Sequence, residues 1–124
     1  MVLNPYRLVA EADKRIVRVQ RQTCSKIKAT RRAFDEAKRN EFRKYYTGYK
    51  KPPFDIHHIL PIALGGGNDW QNLCLVPHDL HAVIHEYIDE QIDGMNYGET
   101  RQVIIPILST CKIWNPYANP SRPR

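Results

Sequence analysis

The chain has 124 residues, 42% of them hydrophobic and 26% charged, with a formal net charge of +6. That composition excludes a disordered chain and makes one domain with a single modest core the expectation. No stretch of about 18 apolar residues is present, and the first residues lack an apolar leader with a small-residue cleavage site, so the chain reads as soluble and cytoplasmic.

The positive charge is concentrated at the start. Residues 1–52 carry 15 Lys and Arg against 5 Asp and Glu, a local charge of +10, and the remaining 72 residues carry −4. From Pro5 to Tyr46 there is no glycine, and Leu8, Ile16, Val19 and Ile27 recur at spacings that suit amphipathic helix. Two helices are expected, with a break between Thr23 and Ala29, Thr30 as the N-cap of the second, and Gly48 with Pro52 and Pro53 ending it. This basic half is either a solvated face around the core or a surface that contacts phosphates. Arg43, Lys44, Lys50 and Lys51 are the candidate nucleic-acid contacts, and Tyr45, Tyr46 and Tyr49 beside them either stack on nucleic acid or pack the helix end.

The next segment concentrates the chemistry. All five histidines, His57, His58, His78, His81 and His85, fall within 29 consecutive positions. Residues 54–60 read as a strand, Pro61 and Gly65-Gly66-Gly67 as loop, and Leu73 to Val76 as a second strand. Pro77 suits the first position of a helix, Asp79 complements its dipole, and the helix is expected to run to Ile92 with Gly94 ending it. His81 and His85 are four apart, so both face one side of that helix and can converge on one metal ion. The third ligand is expected from the His57-His58 pair. Neighbours on a strand point to opposite faces, which fits one ligand and one general base without saying which is which. Three imidazoles leave coordination positions open for reactants, as in catalytic metal sites. His78 reads as an exposed first-turn residue, and Trp70 and Trp114 as core anchors.

After Gly94, Arg101 to Leu108 suggests a strand on the core, with Pro106 placing it at an edge. Residues 115–124 hold three prolines and read as a tail. Cys24, Cys74 and Cys111 form no metal-binding pair and read as buried free thiols.

Taken together, His57-His58-Ile59-Leu60-Pro61, Gly65-Gly66-Gly67, Asn72-Leu73 and His81-Ala82-Val83-Ile84-His85 resemble the ββα-metal motif of HNH endonucleases. They are most similar to the nuclease domains of DNase colicins and pyocins and to small phage-encoded HNH nucleases. The resemblance implies an α+β fold in which a helical N-terminal half packs on the motif. Residues 1–52 would be the basic helical region, 53–93 the motif and 94–124 a C-terminal extension of the same domain. It implies that His57, His81 and His85 bind one divalent metal, that His58 is the general base, and that Asn72 holds the loop and helps orient that base. Asp55 sits where the pattern carries an acidic residue that orients a basic side chain or an imidazole.

The implied activity is hydrolysis of DNA to 5′-phosphate and 3′-hydroxyl ends with low sequence specificity. Ligand softness favours zinc or nickel, and the resemblance widens the choice to magnesium and manganese. DNA is the implied partner, and a bacteriocin-like setting would add an inhibitor or immunity protein. The alternatives are a noncatalytic, metal-stabilised nucleic-acid-binding module and a nicking or structure-specific phage nuclease.

Overall fold

The structure, a computed structural model, describes residues 4–47 and 54–108. The chain is an α+β fold with the order α1 (Pro5–Glu11), β1 (Asp13–Gln20), α2 (Cys24–Ala33), α3 (Glu36–Thr47), β2 (Phe54–His58), β3 (Leu73–Pro77), α4 (His78–Ile92) and β4 (Thr100–Ile107). The strands form two antiparallel pairs, β1 with β4 and β2 with β3. Single turns of 3-10 helix at Ile62–Leu64 and Trp70–Asn72 lie in the loop joining β2 to β3. Among the described residues, no helix is long and apolar enough to cross a membrane.

The basic start is not the expected pair of helices. Asp13–Gln20 is a strand whose register runs from Asp13 opposite Ile107 to Gln20 opposite Thr100. The β-branched Ile16, Val17 and Val19 suit the pleated surface, and Val17 and Val19 turn toward the core while Ile16 stays 72% exposed. Thr30 is likewise not a cap, because it lies inside α2. The cap is Thr23, whose hydroxyl accepts a hydrogen bond from the Lys26 amide, and the helix break falls at Phe34 and Asp35.

β2, β3 and α4 form a hairpin followed by a helix, with His57 opposite Cys74 and His58 opposite Leu73. β3 is apolar on both faces because it separates two clusters. Cys74 and Val76 pack with Val9, Val19, Ile84, Ile88 and Val103 on one side, while Leu73 and Leu75 pack with Phe34 and Phe42 on the other. Alternating side chains of one strand thereby serve two cores. α1 and β4 pack on α4, α3 packs on β3, and α2 packs on the loop after β2, so the basic half holds the motif from outside.

α4 begins at His78, with Pro77 in the capping position just before it, and ends at Ile92. Gly94 follows with φ +76°, the left-handed conformation that closes helices at little cost when there is no Cβ. Its Leu80, Ile84, Ile88 and Ile92 are buried at four-residue spacing. His81 and His85 lie one residue further round, at the border between core and cleft.

β4 covers the span expected for it, and Pro106 lies opposite Lys14 in a two-stranded sheet where each strand is an edge. The cysteines differ from expectation: Cys24 is free and exposed, whereas Cys74 is buried and disulfide-bonded. Gly48, Tyr49, Lys50, Lys51, Pro52, Pro53, Cys111, Trp114 and residues 115–124 lie outside the described residues.

Candidate metal centre and cleft

β2 carries Asp55 and His57 on one face, two residues apart, and His58 on the other. His57 is 1% exposed. Its ring centre lies 5.3 Å from that of His81 and 6.2 Å from that of His85, and the last two are 4.5 Å apart. One ring nitrogen from each of the three lies within 4.8 Å of the others, close enough for the three to share a metal ion.

The protonation pattern follows from the neighbours. Oδ2 of Asp55 lies 3.0 Å from Nδ1 of His81 and 2.7 Å from Nδ1 of His78. A carboxylate only accepts, so each Nδ1 carries a hydrogen and Nε2 of neutral His81 keeps its lone pair. That lone pair faces Nε2 of His85 at 3.0 Å. Two such nitrogens this close need either a shared proton or a cation between them. Nδ1 of His57 is buried with no hydrogen-bond partner, a costly state for a polar atom. A facing nitrogen pair and an orphaned imidazole nitrogen are what a divalent ion would satisfy, so the residues present fit one.

Burial holds His57 far below the usual imidazole range, to about 3, with His81 and His85 adding to the effect. Burial also lowers His85, helped by His81 and Arg31 and opposed by Asp89. For Asp55, burial pushes the carboxyl up, but the hydrogen bonds from His81 and His78 outweigh it and leave the group below the usual carboxylate range. His57 and His85 are therefore held in the neutral form, the form that binds metals.

His58 lines a cleft of about 620 Å³ together with Asp55, His81 and His85. Its ring stands perpendicular to that of Phe34, with centres 5.4 Å apart, and its Nε2 lies 2.9 Å from Oδ1 of Asn68. Burial lowers its pKa, the contact with Asn68 works the other way, and His81, His85 and Arg31 lower it further. Asn72 has a different task. Its Oδ1 accepts from the Leu60 amide at 2.8 Å, and its Nδ2 donates to the carbonyls of Leu60 and Gly67, each at 3.0 Å. Asn72 thus staples the loop, and the polar contact to the His58 ring comes from Asn68.

Arg31, Arg39 and Arg43 line the same cleft. Arg43 donates to the Phe54 carbonyl at 2.9 Å, and Arg39 donates to the Phe34 carbonyl. Of the four basic candidates, Arg43 reaches the cleft. Lys44 lies at a separate depression with Glu41, Tyr45 and Trp70, and Lys50 and Lys51 are outside the described residues. Tyr45 rests against Trp70 with ring centres 4.7 Å apart, and Trp70 packs on the smaller core. Sequence reasoning missed Arg31, Arg39 and Asn68. The arginines differ from other basic helix residues only in which side of the fold they face, and Asn68 sits in a run of glycines and polar residues that reads as plain loop. Comparison with family models, curated proteins and solved structures finds no match.

Proposed function

We propose that the protein is a metal-dependent endonuclease of the HNH type that hydrolyses DNA phosphodiesters. The observation that carries this reading is the placement of a fourth imidazole, His58, on the wall of the cleft that also exposes His81 and His85. A structural metal site has no use for it. His57, His81 and His85 would hold one divalent cation, with zinc, nickel, magnesium and manganese as candidates. Bound there, it supplies Lewis-acid charge for the phosphate and the departing 3′ oxygen.

The chain's own residues supply the rest. His58, neutral at pH 7, accepts a proton from a water whose oxygen attacks phosphorus. The P–O3′ bond breaks, the phosphate stays on the 5′ side, and the 3′ oxygen leaves to take up a proton from solvent. Arg31, Arg39 and Arg43 place positive charge where a phosphate backbone would lie, and their pairing with phosphate is charge-assisted. Contacts from arginines to phosphates carry no sequence information of their own, which supports low sequence specificity.

The test is cleavage of supercoiled plasmid by wild type and His58→Ala, with each metal and with chelator. Metal-dependent nicking by wild type, lost by a factor of about 10² to 10⁴ in a variant that still binds metal and DNA, supports the reading. Wild-type protein that binds DNA yet cuts neither plasmid nor branched substrates with any metal would move the noncatalytic binding module to first place.

A further inference from the structure

We propose that Asn68 is the positioning residue that sets the tautomer of His58, so that Nε2 carries the hydrogen and Nδ1 is the nitrogen that takes the proton from water. The inference rests on the nuclease reading for the role of His58, and on geometry alone for its tautomer.

The orientation of the Asn68 amide follows from its other partner. Its Nδ2 lies 2.9 Å from the carbonyl oxygen of Thr30. A carbonyl only accepts, so the NH2 end of the amide must face Thr30 and the oxygen end must face His58. Oδ1 is then an acceptor 2.9 Å from Nε2, and that nitrogen must donate. In a neutral imidazole the other nitrogen is unprotonated, and the hydrogen bond made by one nitrogen decides the state of its partner. Phe34, packed perpendicular to the same ring, limits its rotation. Thr30 lies in α2, so the base on β2 is held by a two-bond bridge to a helix of the basic half. Asn72 cannot do this, because its side chain is committed to Leu60 and Gly67.

Two measurements test it. The first is long-range proton–nitrogen NMR of wild-type protein with labelled histidine at pH 8, metal-free and with zinc. His58 is expected wholly as the Nε2–H tautomer, with an Nε2 proton slow enough in exchange to be seen. A proton on Nδ1 of His58 overturns the proposal without any variant having to fold.

The second compares plasmid cleavage by wild type, Asn68→Ala and Asn68→Asp at the same pH. Asn68→Ala should lose about 10- to 100-fold in kcat, the usual cost of removing a supporting hydrogen bond. KM and zinc affinity should stay within about twofold, since the Asn68 side chain bonds to His58 and Thr30 and not to His57, His81 or His85. Asn68→Asp retains an acceptor for Nε2 but loses the donor to Thr30, so it should cut faster than Asn68→Ala and slower than wild type. Asn68→Ala cutting as fast as wild type overturns the proposal while leaving the nuclease reading intact. Wild-type protein that cuts nothing overturns the nuclease reading and the base role of His58 together.

Discussion

Asp55 and His81 meet across the junction of β2 and α4, carboxylate to Nδ1 at 3.0 Å, and that contact leaves the lone pair of His81 on the nitrogen that faces His85. The carboxylate touches the candidate metal centre through this imidazole, as outer partners of metal-binding histidines commonly do.

Removing that partner should therefore weaken metal binding without removing a ligand. Asp55→Ala is expected to lower zinc affinity by about 10- to 100-fold in calorimetric titration. His78→Ala, which deletes the exposed second partner of the same carboxylate, should leave the affinity nearly unchanged. Equal losses in both variants would show that Asp55 acts through His78 and not through His81 alone.

The depressed imidazoles make the metal-free protein sensitive to acid, and the sign can be worked out. His57 is held at about 3, with His58 and His85 also lowered, whereas an unfolded histidine titrates near 6.5. As pH falls below about 6.5 the unfolded chain takes up protons that the fold refuses, so stability declines, and above about 7 it is flat in this respect. His57 alone accounts for about 1.4 kcal/mol between pH 7.5 and pH 5.5. Urea midpoints in chelator at the two values check this, and a protein equally stable at both would refute the burial of neutral imidazoles. Metal at a hundredfold excess over Kd should add about 2.7 kcal/mol of stability at pH 7.5 and raise the urea midpoint accordingly. That gain should shrink in acid, where protons compete for the same nitrogens.

Arg31 lines the cleft and acts on His58 and His85 through its charge. Arg31→Gln should weaken DNA binding across sequences alike and flatten the plot of log K against log salt by about 0.9, the loss of one phosphate contact. Lys44→Gln, on the separate depression, should change the slope less. An unchanged slope in Arg31→Gln would remove this arginine from the proposed DNA surface.

The glycine run is not uniform, and substitution should reveal that. A Cβ on Gly66 would collide with the Leu60 carbonyl and crowd Asn72, whereas one on Gly67 would meet nothing nearer than Asp69 at 4.0 Å. Gly66→Ala should cost about 3 kcal/mol or prevent folding, and Gly67→Ala should stay within about 0.5 kcal/mol. Chemical denaturation of the two variants separates them, and similar costs would mean that the loop moves aside freely.

Much of the hairpin and helix was legible in advance because its signals are local. The apolar run at Leu73 to Val76, the proline before α4, the four-residue spacing of His81 and His85 and the stop at Gly94 each act within a turn or two of the chain. β1 was not legible in the same way. Leu8, Ile16, Val19 and Ile27 suit a helix by spacing, and the competing signal of Ile16, Val17 and Val19 becomes decisive only when β4 lies alongside. That partner is more than 80 residues away, and pairing at such separation leaves little local trace.

By itself the sequence determined which imidazoles could converge, because imidazoles placed four apart on a helix and side by side on a strand have directions set by backbone period. Only the tertiary structure decided how those side chains are held. Asp55 is fixed on His81, Asn68 bridges Thr30 to His58, and Arg31, Arg39 and Arg43 are turned into the cleft. These relations join β2 to α4, the loop to α2, and the basic half to the hairpin. Each depends on where two separately formed elements come to rest, and that placement is set by the burial of the shared cores around β3 and α4, not by any short run of residues.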